Sequence, residues 1–288
     1  MRKTLSIVSM GLVWMMINGC DHHNQKTCNE EVWSEFNTTC LPLQVSNNYG
    51  YGDLAFDKDG NLLIAGDSAG TVLGLNRETC ELSTLTTIAG ENVLSVVDNG
   101  SYVYAGTGTG VFEIDRINGT YTKIITSNYI NSMVIAPNNY GSYGGNLIYA
   151  SYNSIYAYDL NGGNPPINIY SDSDAISDLV FGSDGTLYAA VSSGIVTVES
   201  DGTVENFLSM TGVDGLTIDN NGSTLFVTND SVDKLYSVDV TSKTVTELSD
   251  FDFDSGYYPT GIVFDGYSTL IMKTGETEGT LRAFNLDD

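Results

Sequence analysis

Apolar and polar positions along this chain alternate in short runs, with little helical spacing outside the first twenty residues. The stretch "VDGLTIDNNGSTLFVTND", 213–230, shows the unit: an apolar strand, a tight turn at Asn221-Gly222, and a second apolar strand. Half-buried strands read this way because successive side chains face opposite sides of a sheet. Asn-Gly supplies the positive φ that tight hairpins need. The unit recurs. "LAFDKDGNLLIAG" turns at Gly60, "LSVVDNGSYVYAG" at Gly100, "LVFGSDGTLYAAV" at Gly185 and "IVFDGYSTLIMK" at Gly266. Another copy, "SMVIAPNNYGSYGGNLIYASY", has a turn lengthened around Gly144 and Gly145. The five intervals from Gly60 to Gly266 average about 41 residues, the period of a propeller blade.

Each hairpin is followed by an alternating third strand, as in "TVLGLNR", "GVFEIDR", "SIYAYDL", "GIVTVES", "KLYSVDV" and "TLRAFNL", and then by a polar turn and a fourth strand. Six such units predict an all-β fold, a six-bladed β-propeller of four-stranded blades. The last unit stops at its third strand. The missing strand stands at the other end, where "TTCLPLQVSN", 38–47, matches "ETCELSTLTT", 78–87. The N-terminal strand is therefore expected to complete the last blade, since an open ring would expose two sheet edges.

The units resemble the NHL-repeat and gluconolactonase-like (senescence-marker, luciferin-regenerating) six-bladed propellers. The resemblance rests on segments of the form x-G-x-x-x-D-x-x-G-x-L-a-V and covers residues 38–288. It speaks to fold rather than activity, because propellers host many unrelated functions.

A different signal precedes the repeats. Arg2 and Lys3 open a short apolar run, 5–17, too short for a comfortable membrane span, which ends in "INGC". This resembles a bacterial lipoprotein signal, with Asn18 unusual at its position. The resemblance implies a signal peptide over 1–19, lipidation of Cys20, a polar tether over 20–36 and the propeller over 37–288. It implies a protein of the bacterial cell envelope held to a membrane through the lipid on Cys20. Asp21 leaves inner and outer membrane open. An ordinary secretory signal, with Cys20 in a disulfide, is the alternative. In a compartment that permits disulfides, Cys28, Cys40 and Cys80 allow one bridge and leave one thiol over. Cys28 with Cys40 is the expected pair, because Cys40 and Cys80 fall at equivalent places in neighbouring blades and a bridge would have to span blades.

Composition narrows the chemistry. Acidic residues number 36 against 11 basic, a formal net charge of −25. Nucleic acid is excluded as a partner, since phosphate contacts need clustered Lys and Arg. No Walker-type glycine loop exists for nucleotides; "GTGTGVFE", 106–113, reads as a turn between strands. The only histidines are His22 and His23, in the tether, so the propeller has no histidine for a catalytic triad or a zinc site.

Oxygen chemistry remains. In a propeller the first strand of each blade lines the central channel. Counting back from the turn glycines and aligning strands puts Gly52, Asn92, Asn131, Ser177, Asp214 and Thr260 at its rim. In the gluconolactonase-like enzymes a Glu, two Asn and an Asp hold a divalent metal at this level. The resemblance maps Asp214 onto the metal Asp, with Asn131 and Asn92 as amide donors. Ser177 stands where an Asn is wanted and Gly52 where the Glu would be. Asp53 and Glu91 lie one place off and should face away. Otherwise the channel is expected to be polar and filled with water. The loops on that rim add Tyr49, Tyr51, Tyr129, Tyr257 and Tyr258, suited to a glycan or peptide. Asp250, Asp252 and Asp254 have the spacing of a calcium loop without its glycine, distal Glu or flanking helices. No cofactor is required; calcium or another divalent cation is the ion such oxygens would take. The expected function is a non-catalytic binding or scaffolding module for a protein, peptide or glycan. A metal-dependent, lactonase-like hydrolase is the alternative.

Overall fold

The computed structural model describes residues 35–46, 52–65, 70–248, 259–274 and 279–287. Within them the chain forms six sheets of four antiparallel strands each. The innermost strands of blades 1 to 6 are Leu54–Phe56, Val93–Asp98, Ile130–Ile135, Ile176–Phe181, Val213–Ile218 and Pro259–Phe264. In five blades the next three strands follow outward in chain order; in blade 6 the outermost place is taken by Leu43–Ser46, from the N-terminal side. The ring closes as the repeat predicts, with Leu43 opposite Leu281.

The gradient of polarity across a blade explains its sequence. Second strands are packed on both faces, and Leu187–Val191, "LYAAV", is buried throughout. Outermost strands such as Leu82–Thr87, "LSTLTT", are largely exposed and rich in Ser and Thr. Buried apolar side chains gather in six clusters, one at each interface between consecutive blades. Stacking of blade on blade is therefore the core, and no blade would bury its faces alone.

The recurring Asp after the first strand closes the turn. In blade 5 the Asp219 carboxylate accepts from the N–H of Ser223 (2.7 Å) and Thr224 (3.2 Å). In blade 6 the Asp265 carboxylate accepts from the N–H of Tyr267 (2.9 Å) and Thr269 (3.0 Å). Gly222 has φ +69°, and a Cβ there would stand 2.5 Å from Ser183 Oγ of blade 4. The turn therefore requires glycine on two counts, handedness and interblade contact.

The ring is closed by more than the outer strand. Phe36, expected at the end of the tether, is 2% exposed and packs on Phe56, ring centroids 6.2 Å apart. Its N–H donates to the Asp265 carboxylate of blade 6 (3.2 Å), while Asn37 Nδ2 donates to the Glu78 carbonyl of blade 1 (3.3 Å). The disulfide joins Cys40 to Cys80, not Cys40 to Cys28. Cys40 ends a short 3-10 turn ahead of the closing strand, and Cys80 lies in the turn before blade 1's outermost strand. These turns meet on one rim at the seam between blades 6 and 1, so equivalence in sequence does not keep them apart.

Candidate functional site

Five of the six inner strands begin with a break in register. In blade 3 the pairing skips Asn131, in blade 4 Ser177, in blade 2 Leu94, and in blade 5 Asp214 with Gly215. A bulge of this kind re-aims a side chain that regular pleating would send elsewhere. The result is a cup of about 230 Å³ at this end of the channel, lined by Gly52, Asp53, Leu94, Asn131, Ser177, Asp178 and Asp214. One residue deeper than Asp53 and Asp178, the six strands supply Leu54, Val96, Met133, Leu179, Leu216 and Ile262. All six are buried and border a narrow cavity of about 50 Å³. The middle of the channel is thus apolar, contrary to the polar conduit expected, and the polar cup stands on an aliphatic floor.

Hydrogen bonds between neighbouring blades fix the cup wall. The Asp53 N–H donates to the Leu94 carbonyl (2.9 Å), and Ser95 Oγ to the Ile130 carbonyl (3.0 Å). Asn131 Nδ2 donates to the Ile176 carbonyl (3.0 Å), which occupies its amide nitrogen. Asp178 carries the densest set: Ser132 Oγ donates to it at 2.7 Å, the Leu179 N–H at 2.8 Å and, from blade 5, the Leu216 N–H at 2.7 Å. At the seam Lys273, fully buried in blade 6, donates from Nζ to the Ala65 carbonyl of blade 1 (2.8 Å).

Three carboxylates share this space, and enclosure raises all of them. Burial pushes Asp178 up to about 6, against its three hydrogen bonds. Burial first, then the charges of Asp230 and Asp178, push Asp214 up to about 8. Asp53 is held well above the usual range by burial and by repulsion from Asp178 and Asp214, with the Leu54 N–H and Lys273 pulling it back. Near neutral pH the cup therefore retains protons that a solvent-exposed set would release.

Of the residues picked out from sequence, Asp214, Asn131, Ser177 and Gly52 do line the cup, and Asn92 does not. Asn92 is exposed, and Leu94 holds blade 2's place. The blade 2 turn runs from Asp98 to Gly100 where that of blade 5 runs from Asp219 to Gly222, and its bulge skips one residue where blade 5 skips two. Each difference shifts a count from the glycine by one. Asp53 lines the cup rather than facing away, and Asp178, which sequence reasoning passed over, lines it too. A faint signal existed: Asp53, Ser95, Ser132, Asp178 and Gly215 are all small or polar at the place after the leading one.

A metal of the lactonase type does not fit this donor set. Among the described residues no glutamate lines the cup, Gly52 and Ser177 stand where two donors are wanted, and Asn92 is elsewhere. Among the described residues no three His, Cys, Asp or Glu side chains are grouped to hold an ion. Tyr49, Tyr51, Tyr257, Tyr258, the acidic run with Asp250, Asp252 and Asp254, Cys20 and Cys28 lie outside the described residues.

Tyr129 is described, and it has a partner that sequence reasoning missed. Tyr129 and Tyr152 are 51% and 54% exposed, with ring centroids 5.1 Å apart, edge to face. Both have positive φ, 46° and 54°, rare for bulky side chains. The Tyr152 N–H donates to the Tyr129 carbonyl (3.3 Å), and the Ile176 N–H to the Tyr152 carbonyl (2.8 Å). The pair therefore stands on the cup's own rim, between blades 3 and 4.

No family model matches the chain, and no curated protein does. Solved structures do. A structural genomics protein of unknown function from Bacteroides thetaiotaomicron VPI-5482 aligns with TM-score 0.65 at 13% identity, over 87% of this chain and 73% of that one. Kuenenia stuttgartiensis hydrazine synthase aligns with TM-score 0.61 at 15% identity, over 82% and 78%. A chain of a mitotic checkpoint complex aligns with TM-score 0.61 at 16% identity, over 93% and 82%. At these identities the likeness is one of architecture: the chain is a six-bladed β-propeller.

Proposed function

We propose that this protein is a bacterial envelope lipoprotein whose propeller is a non-catalytic binding module, taking part of a protein, peptide or glycan at the cup. The observation that carries the reading is the exposed Tyr129–Tyr152 pair, held in an unfavourable backbone conformation beside a polar cup with an apolar floor. Backbone strain of this kind is retained where the surroundings over-determine it, and it clusters at binding sites. Exposed aromatic faces beside polar groups are what sugars and peptides use. The lactonase-like hydrolase has less support: Asp214 and Asn131 share the cup, but among the described residues no glutamate joins them and Gly52 and Ser177 stand where two donors are wanted.

Screening the intact protein on peptide and glycan arrays tests the reading. A ligand whose binding drops at least tenfold in both Tyr129→Ala and Tyr152→Ala supports it. Full binding in both variants would move the site off this rim. The anchor is tested separately: Cys20→Ala should shift the protein from the membrane fraction to the soluble one. Continued membrane association would refute lipidation.

A further inference from the structure

We propose that the cup receives a primary alkylammonium group, presented by a lysine side chain of a partner or by a free polyamine. This deepens the binding reading by naming the chemistry that enters. Three observations converge. The cup gathers Asp53, Asp178 and Asp214 in about 230 Å³, room for an ammonium head and several methylenes. Their hydrogen bonding is unequal. Asp178 accepts three hydrogen bonds and Asp53 one, from the Leu54 N–H (2.7 Å). Asp214, partly exposed on the cup wall, accepts none among the described residues. A partly buried carboxylate without a protein donor is open to a ligand that brings its own.

The shape of the site selects among cations. A bare metal ion needs several oxygens converging on one point, and among the described residues no three His, Cys, Asp or Glu side chains do so. An ammonium is met by one or two carboxylates about 2.8 Å from its nitrogen, with water taking a remaining donor, so it needs fewer protein oxygens than a metal ion. Its alkyl arm would pass Leu94 on the wall. At the mouth, the Tyr129 and Tyr152 faces can shelter methylenes and attract the charge. The nearby cation, Lys273, is tied to Ala65 and sits at the blade 6 to blade 1 seam, so it acts on Asp53 rather than on Asp214. The charged groups around Asp214 are Asp53, Asp178 and Asp230, all acidic. An entering cation would displace the proton that Asp214 holds, so binding is accompanied by proton release.

Isothermal titration of the intact protein at pH 7.5 in ~150 mM salt, which screens the acidic surface, decides the matter. The probes are spermidine, Nα-acetyl-lysine amide, argininamide and calcium chloride. Saturable binding of either amine is expected, weakened at least tenfold in Asp214→Asn and unchanged in Glu81→Gln, an exposed acid on the opposite rim. The measured heat should differ between Tris and phosphate buffers, reporting the released proton. Stronger binding of spermidine marks a free polyamine as the ligand, and stronger binding of the lysine amide marks a protein partner. Asp53→Asn serves as a second cup variant should Asp214→Asn lose its thermal transition. The proposal is overturned if neither amine saturates, if Asp214→Asn binds as well as wild type, or if calcium or argininamide binds more tightly. Should the amines fail while an array ligand still depends on Tyr152, this inference alone falls and the binding reading stands.

Discussion

Cys40 and Cys80 are bonded across the seam of the ring, their Cα atoms 5.1 Å apart and 40 residues apart in sequence. The bridge locks the turn that leads into the closing strand onto the neighbouring blade. The seam is the one place where the ring is held by chain from both ends of the sequence. Removing the cross-link frees the unfolded chain and lets the seam open, at a cost of about 2–4 kcal/mol for a loop of this length. Cys40→Ala and Cys80→Ala should each lower the unfolding midpoint in urea accordingly, while Cys28→Ala leaves it unchanged. Peptide mapping without reductant should recover Cys40 linked to Cys80. A peptide linking Cys28 to Cys40 would refute the assignment.

On the rim opposite the cup, Arg116 of blade 2 reaches Asp98 of its own blade and Asp57 (3.1 Å) and Asp59 (3.4 Å) of blade 1. Asp98 and Asp57 are buried, and deleting the guanidinium leaves their charges without a cation, held among the described residues only by backbone N–H groups and the Asn61 amide. Arg116→Ala should cost about 3 kcal/mol. Arg116→Lys should recover less than half of that, because an ammonium cannot fork across two blades. Equal stability of Arg116→Ala and wild type in chemical denaturation would show the clamp to be idle.

The cup should make the protein less stable toward alkaline pH. Asp214 has a folded pKa of about 8 and an unfolded value near 3.8. Between those values the folded state binds more protons than the unfolded one, so stability falls as pH rises through that window. Asp178, raised to about 6, adds to the slope over its lower half. Asp214→Asn should flatten the decline and raise Tm at pH 8.5 by a few °C, on the order of 2–4 °C per kcal/mol recovered. Scanning calorimetry from pH 5 to 8.5 gives the comparison. An identical decline in the variant would mean that Asp214 does not hold its proton.

Ser132 connects two blades through one hydroxyl, donating to Asp178 (2.7 Å) and accepting from the Leu179 N–H (3.1 Å). Ser132→Ala should cost about 1–3 kcal/mol, since both partners are buried. It should also raise the Asp178 pKa further, visible as a shift in its carboxyl carbon titration by NMR. A stability loss with an unmoved titration would mean that Ser132 serves packing alone.

The repeat itself carried the architecture. Six turn glycines and their spacing gave the blades, and the mismatch between the last unit and the first gave the closing strand. The site was only partly legible. Asp214 and Ser177 follow from counting back from the turn glycines and Asn131 from aligning strands, while a shorter turn and a shorter bulge put the blade 2 count on Asn92 instead of Leu94. Asp53 was set aside on a two-residue alternation that does not reach past the strand's start, and Asp178 was hidden by the bulge at Ser177. Tyr152 had no signal, because its pairing with Tyr129 joins two loops.

By itself, the sequence determined how many blades there are, where each turns and which strands are buried, because these follow from local periodicity and turn chemistry. Only the tertiary structure decided which carboxylates face one another, that the channel narrows to an aliphatic ring, and that Cys40 pairs with Cys80. Those outcomes depend on how six blades meet around an axis. Residues 35 or more positions apart come into contact there, and a single extra residue in a strand redirects a side chain.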